Sequence, residues 1–199
     1  IVAKVRGYSR NQTRRDRTVS LKTTIDNVLT AISPDLQRSV AFKCESVEGI
    51  DVLGDALELE LLMRNLIKNA FEAAATAASD NTSSAQEVPT VSVRTEPDPT
   101  DKTDRSVLIT IENTGLQMTN AAFNELTTPL ITTKAAGHGL GVPIAIAEAS
   151  GGRLTFFERP QGGVIAQVRL LRAGSYPSKN TAGTESSSSS HYDIPPQAS

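Results

Sequence analysis

The sequence predicts an α+β fold, a two-layer α/β sandwich in which a mixed β-sheet carries helices packed on one face. Two observations predict it. Short stretches in which apolar and polar residues alternate are typical of strands, and longer stretches with apolar residues at helical spacing interrupt them. At 199 residues the chain is long enough for one well-packed domain with appendages.

Three helices and five strands are indicated. The first helix, from about residue 20 to 32, has an apolar stripe that includes Ile25 and Val28 and ends at Ser33-Pro34. The longest helical pattern runs from about residue 55 to 78, and a third helix covers 143–149. Strands are predicted at residues 40–45, 91–93, 107–111, 153–157 and 164–170, with a hairpin turn at Gln161-Gly162-Gly163.

Charge and composition limit the possible functions. The 20 Lys and Arg residues nearly balance 22 Asp and Glu, so the whole chain shows no electrostatic bias toward nucleic acid or an anionic membrane. No apolar run approaches the roughly 20 residues that span a bilayer. The single cysteine cannot form an internal disulfide, and alternation places Cys44 on an apolar face with Val40 and Phe42, which predicts a buried thiol.

The two ends of the chain differ in composition from its middle. Residues 1–19 carry six basic side chains up to Arg17, as expected of a basic linker. A nucleic-acid-binding arm is the weaker alternative, because only Tyr8 could stack on a base. Residues 173–199 are rich in Ser, Thr and Pro and cannot bury enough apolar surface to order themselves, so we expect a disordered tail. One folded domain, residues 20–172, remains between them.

Two asparagines on the long helix are the first candidate site residues. Asn65 and Asn69 are four residues apart, so both project from one face, which also carries Leu61 and Ala73 and should otherwise point into the domain. Asparagine carbonyls are hard oxygen ligands suited to Mg²⁺. The alternative is that both amides cap loops or bond to each other.

A glycine-rich loop before the third helix is the second candidate. Gly137-His138-Gly139-Leu140-Gly141 lets the backbone approach a phosphate chain, and the amides at the start of the following helix supply an anion site. Pro143 is well tolerated in the first turn of that helix.

Together these two segments resemble the ATP site of the GHKL superfamily, most closely its sensor histidine kinase branch. Asn65-x-x-x-Asn69-Ala70 is similar to the asparagine box of histidine kinases, which implies that Asn69 coordinates Mg²⁺ and that Asn65 lies beside the phosphates. Lys68 could also reach a phosphate, although a solvated lysine on the helix exterior is equally consistent with the sequence.

Two further segments extend the resemblance. Asn113-Thr114-Gly115 resembles the first glycine box, in which an aspartate usually accepts a hydrogen bond from the adenine amino group. Asn113 can still accept, but without charge assistance, a loss of about 1 kcal/mol. Thr132-Thr133-Lys134 resembles the end of the lid over ATP, where Lys134 meets a phosphate. The second glycine box, 137–141, is followed by a helix about two residues shorter than usual.

The resemblance implies a catalytic ATP-binding domain that uses ATP and Mg²⁺, with Asn65 and Lys134 as catalytic residues. The γ-phosphate would pass to a histidine on an upstream helical hairpin, of which residues 1–10 resemble the end, since neither His138 nor His191 lies in a phosphoacceptor box. A response regulator and a homodimer of the longer protein are the implied partners, with no nucleic acid. The implied location is cytoplasmic. A membrane anchor of the longer protein would lie further upstream.

Three other functions are consistent with parts of the pattern. Gyrase-like ATPases use a glutamate base where Asn65 stands, and an amide cannot take a proton from water, so hydrolysis is disfavoured. A degenerate module that acts as a scaffold, with weak or no nucleotide binding, is suggested by Asn113 and Gln117. A serine-phosphorylating anti-sigma kinase fits less well because of the hairpin-like N-terminal segment.

Overall fold

The computed structural model describes residues 17–79, 88–117 and 140–174. Their main element is a five-stranded sheet. Its strands are β2 (Ala41–Glu45), β4 (Thr90–Pro97), β5 (Ser106–Thr114), β6 (Arg153–Glu158) and β7 (Gly163–Leu171). Across the sheet their order is β2-β4-β5-β7-β6. The β2–β4 pair is parallel and the other pairs are antiparallel, so the sheet is mixed as predicted.

Four helices occur in the described ranges, and those that contact the sheet pack on one of its faces. They are α1 (Leu21–Thr30), α2 (Pro34–Ser39), α3 (Ala56–Ser79) and α4 (Gly141–Ala149). The long α3 lies against β4, β5 and β7, and it packs between α1 and α4. The predicted α+β sandwich is confirmed. Within these ranges, none of the helices combines the length and the apolar character needed to cross a membrane.

The core between the helices and the sheet comes from alternate strand residues and one side of α3. Val93, Ile109, Ile111 and Val168 point from the sheet toward the helices and are almost fully buried. Phe71 of α3 is fully buried and stacks on the ring of Phe42 in the edge strand β2. The two ring centroids are 5.9 Å apart.

A second, two-stranded sheet ties the beginning of the domain to its end. Strand β1 (Thr18–Ser20) pairs antiparallel with β3 (Asp51–Leu53), and the Arg17 carbonyl accepts a hydrogen bond of 3.0 Å from the amide of Gly54. The chain that follows β7 pairs with the same β3, where the Ala173 amide donates to the Asp51 carbonyl at 2.9 Å. These short strands, held mainly by backbone bonds, are not predicted by the sequence pattern.

Two local predictions are wrong. Cys44 is exposed rather than buried, because β2 is an edge strand and only its Phe42 reaches the helix layer. The first helix ends at Thr30 rather than at Ser33-Pro34, which begins α2 instead: the Ser33 hydroxyl accepts from the Leu36 amide as the N-cap, and Pro34 occupies the first helical position. Proline fits at the first helical position because the backbone N–H that it lacks would have no hydrogen-bond partner within the helix.

Candidate functional site

A cavity of about 390 Å³ lies on the helix side of the sheet, between α3 and the adjoining ends of β5, β6 and β7. Among the described residues most of its wall is apolar, and four polar side chains interrupt it. The described lining residues are Leu66, Asn69, Ala70, Glu72, Ala73, Thr76, Ile111, Asn113, Gly115, Leu116, Leu140, Phe156, Gly163, Val164 and Ala166. A pocket of this size with few polar groups suits a small organic ligand that has an apolar part.

The two asparagines of α3 have different surroundings. Asn69 lines the cavity, and no side-chain hydrogen bond joins it to another residue of the described part. The Asn65 amide donates instead to the carbonyl of Leu61, one turn earlier on the same helix, at 2.7 Å, and Asn65 does not line the cavity. The amides therefore neither bond to each other nor cap a loop, and Asn69 is the one placed to meet a ligand.

The face shared by these asparagines points into the domain only in part. Leu61 is 43% exposed, so the prediction that it faces inward is wrong. The core side of α3 is formed instead by Leu59, Leu62 and Leu66, which lie on the other side of the helix. Lys68 is also on the exterior, where its Nζ lies 3.5 Å from the Glu72 carboxylate.

Asn113 stands at the end of β5 on the cavity wall and is almost completely buried. Its Nδ2 donates to the carbonyl of Thr114 at 2.8 Å. The side-chain oxygen takes no part in this bond and can accept a hydrogen bond from a ligand.

Gly115 continues the wall beyond Asn113 and packs against the hairpin turn between β6 and β7. A side chain at Gly115 would lie only 3.0 Å from the Gly163 Cα, and one at Gly163, whose φ is +105°, would overlap the Asn113 carbonyl oxygen at 2.0 Å. The Gly163 amide also donates to the Leu116 carbonyl at 3.2 Å. Glycine is therefore required at the turn so that the two backbones can form this end of the cavity.

The N-terminus of α4 begins at the cavity. Leu140, the N-cap residue, lines the cavity and makes no side-chain capping bond. The other helices in the described ranges are capped by side chains: α1 by Ser20, α2 by Ser33, and α3 by Asp55, whose Oδ1 accepts from the Leu57 and Glu58 amides. In the part of the chain that the structure describes, no side chain therefore caps the first amides of α4, from which a phosphate could accept hydrogen bonds.

Several predicted site residues lie outside the described ranges: Thr132, Thr133, Lys134, Gly137, His138 and Gly139. Of the predicted residues that the structure describes, Asn69, Asn113, Gly115 and Leu140 come together around the cavity, and Gly141 begins α4 next to it. The sequence interpretation missed Thr76, Phe156, Val164 and Ala166. Thr76 follows Asn69 at a spacing of two helical turns, which was the only signal for it in the sequence.

Comparison with known proteins assigns the family. The family described as "Histidine kinase-, DNA gyrase B-, and HSP90-like ATPase" matches residues 54–174, which include α3, the cavity and α4. The chain belongs to this family.

Solved structures show the same fold in histidine kinases. The nucleotide-free catalytic domain of histidine kinase ThkA is 21% identical, with a TM-score of 0.61, over 78% of this chain and 97% of that one. The mycobacterial sensor histidine kinase MprB is 16% identical, with a TM-score of 0.58, over 79% and 97%. ThkA in complex with the response regulator TrrA is 18% identical, with a TM-score of 0.58, over 78% of this chain and 41% of that one.

Proposed function

We propose that this chain contains the ATP-binding catalytic domain of a two-component sensor histidine kinase, residues 20–172, flanked by a linker and a tail. The observation that carries the proposal is that Asn69 of α3 and Asn113 of β5 line one cavity, which Gly115 and Leu140 complete. Three motifs separated along the sequence therefore meet at one cavity, and each has the chemistry that one part of a nucleotide requires.

The apolar part of the cavity would hold the adenine ring. Ile111, Phe156 and Ala166 supply flat apolar walls, and the side-chain oxygen of Asn113 would accept a hydrogen bond from the exocyclic amino group. An acceptor at this position favours adenine over guanine, which presents a carbonyl oxygen at the corresponding atom. Selectivity would therefore depend on Asn113 even though it carries no charge.

The polar end of the cavity would hold the phosphates. The uncapped N-terminus of α4 offers backbone amides to an anion. In our proposal Lys134, Thr132 and Thr133 approach the phosphates from the lid, and the glycines at 137 and 139 let the loop lie against them. Asn65 and Lys68 would need a change of side-chain conformation to contribute, because both point away from the cavity lining.

The residues at this end also fit Mg²⁺. Within the described ranges there is no cluster of three or more His, Cys, Asp or Glu side chains that could hold a metal ion. In our proposal phosphate oxygens and water molecules complete the coordination. Asn69 lines the cavity without a competing side-chain bond and would hold the ion through its carbonyl oxygen. When bound, Mg²⁺ would neutralise phosphate charge.

The reaction would be transfer of the γ-phosphoryl group to a histidine on an upstream helical hairpin. The bond between the γ-phosphorus and the ADP oxygen breaks while a bond to the imidazole nitrogen forms, and the imidazole proton is released. The chain's own residues orient the nucleotide and complement its charge, which is most of what this reaction requires. Asn65 cannot act as a base toward water, so the site favours transfer over hydrolysis.

The partners follow from the same proposal. The hairpin would form a homodimer in the longer protein and carry the accepting histidine, and a response regulator would take the phosphoryl group from it. The complex of ThkA with its response regulator TrrA, a structure with this fold, supports the second partner. No nucleic-acid partner is proposed, and the domain would act in the cytoplasm.

Calorimetric titration with Mg·ADP tests the site. We expect micromolar to sub-millimolar binding by the full chain, lost on Asn69→Ala and on Gly139→Ala. Asn27→Ala, an exposed asparagine of α1, is the matched control and should bind like the wild type. Absence of binding by a folded wild-type chain would contradict the proposal and support the alternative function of a degenerate scaffold.

A further inference from the structure

The first two turns of α3 expose an apolar ridge, which we define as Leu57 and Leu61. Leu57 is 72% exposed and Leu61 43% exposed, whereas the leucines on the core side of this helix are buried. The two side chains are four residues apart and lie one above the other on the same face. Two adjacent leucines in water on one helix face indicate a surface that another segment covers.

We propose that the chain segment before Arg17, residues 1–16, docks on this ridge. The direction of the chain supports this occupant. In the antiparallel pair, Thr18 lies opposite Leu53, and Arg17 bonds to Gly54, so each earlier residue advances along β3 toward the start of α3. This direction favours contact between the preceding segment and the first turn of α3, which carries Leu57.

The other end of the chain leads away from the ridge. Arg172 lies opposite Val52 and the Ala173 amide bonds to the Asp51 carbonyl, so from Arg172 to Ala173 the chain runs along β3 away from α3. The C-terminal segment is therefore a poorer candidate than the N-terminal one.

The composition of residues 1–16 complements the ridge. The segment has the apolar residues Ile1, Val2 and Val5 and five basic residues, Lys4, Arg6, Arg10, Arg14 and Arg15. The start of α3 is acidic, with Asp55, Glu58 and Glu60 around the leucines. Apolar contacts would cover the leucines while opposite charges favour the same approach, and the effect of the charges would weaken with added salt.

The docked segment would contact the helix that also lines the cavity. Asn69 follows Leu61 by eight residues, about 12 Å along the helix axis. If the proposed function holds, a displacement of the upstream segment would be transmitted through α3 to the nucleotide site. The docking itself does not depend on nucleotide binding and can be tested without it.

Trypsin digestion of the full chain tests the docking, because Arg10, Arg14 and Arg15 are cleavage sites inside the segment. We expect Leu57→Gln combined with Leu61→Gln to speed cleavage at these arginines by about fivefold or more, since proteolysis follows the population of the undocked state. Val88→Gln is the control and should leave the rate unchanged. Val88 is 67% exposed and lies just before β4. Mass spectrometry identifies the sites cut.

A second variant and a second measurement make the result decisive. Val5→Gln should speed the same cleavages, and combining it with the two leucine substitutions should add nothing, because both changes break one contact. Equal cleavage rates in wild type and the leucine variant would overturn the proposal. So would sedimentation showing a dimer that the leucine substitutions dissociate, since the ridge would then be an interface between two copies.

Discussion

Arg159 in the turn between β6 and β7 donates from Nε to the carboxylate of Glu112 on β5 at 2.7 Å. Its Nη1 also donates to the Gly162 carbonyl at 3.2 Å. The arginine side chain is only 12% exposed. This ion pair fixes the hairpin turn against the end of β5, and the same turn supplies Gly163 to the cavity wall.

Replacing Arg159 should therefore affect both stability and the cavity. We expect Arg159→Gln to lower the free energy of unfolding by about 1–2 kcal/mol, because Glu112 loses a charged partner that is shielded from water. Urea denaturation measures this. Arg153→Gln, an exposed arginine on the neighbouring strand, is the control and should change stability by less than about 0.5 kcal/mol. Equal effects of the two substitutions would contradict the structural role of the ion pair.

Gly163 should tolerate a side chain poorly. Gly163→Ala places a Cβ 2.0 Å from the Asn113 carbonyl oxygen at a φ of +105°, so the turn must move. The comparison is Gly49→Ala, at a φ of +71° with no atom within 4 Å, which isolates the cost of the backbone conformation. We expect Gly49→Ala to cost about 1 kcal/mol and Gly163→Ala at least about 2 kcal/mol more. Thermal unfolding measures both losses of stability. Equal losses in the two variants would contradict the predicted clash at Gly163.

Introducing an aspartate at residue 113 should strengthen nucleotide binding. Asn113→Asp adds a charged acceptor, so we expect Mg·ADP to bind about fivefold more tightly, equivalent to about 1 kcal/mol. The unliganded variant should be less stable, because the aspartate cannot donate to the Thr114 carbonyl as Asn113 Nδ2 does. Calorimetry and thermal unfolding measure the two effects. Asn27→Asp on α1 controls for the added charge, and unchanged affinity in Asn113→Asp would argue against contact between residue 113 and the base.

Asp101, in the turn between β4 and β5, should make stability depend on acid pH. Hydrogen bonds from the Thr103 and Ser106 side chains, and from the Thr103 and Arg105 amides, hold the pKa of Asp101 well below its usual value. A lowered pKa in the folded state stabilises the protein above the unfolded pKa of about 3.9, and that stabilisation is lost as the pH falls further.

We therefore expect Asp101→Asn to be less stable than wild type at pH 7, with the difference shrinking as the pH falls below about 4. Urea midpoints measured from pH 7 to pH 2.5 check this. Asp35→Asn is the control, since Asp35 is an exposed aspartate of α2. If the difference in stability between wild type and Asp101→Asn stayed constant over this pH range, the charge of Asp101 would not contribute to stability.

Local sequence was sufficient wherever a short segment carries its own structural signal. The long helix is predicted within two residues of α3, because its apolar pattern repeats over many turns. The sequence also located the strands of the main sheet and the hairpin turn at residues 161–163. Local sequence failed between the first two helices: α1 ends at Thr30, before the predicted end at Ile32, and Ser33-Pro34 begins α2.

The sequence by itself determined the fold class and the family motifs, and it predicted residues for a nucleotide site. Only the tertiary structure decided which of them share a cavity: Asn69 and Asn113 are 44 positions apart in the sequence, and they line one cavity because α3 packs across β5. It also decided that Cys44 and Leu61 are exposed, contrary to prediction. Side-chain alternation and helical spacing define which residues share a face, but burial of that face depends on whether a neighbouring element covers it.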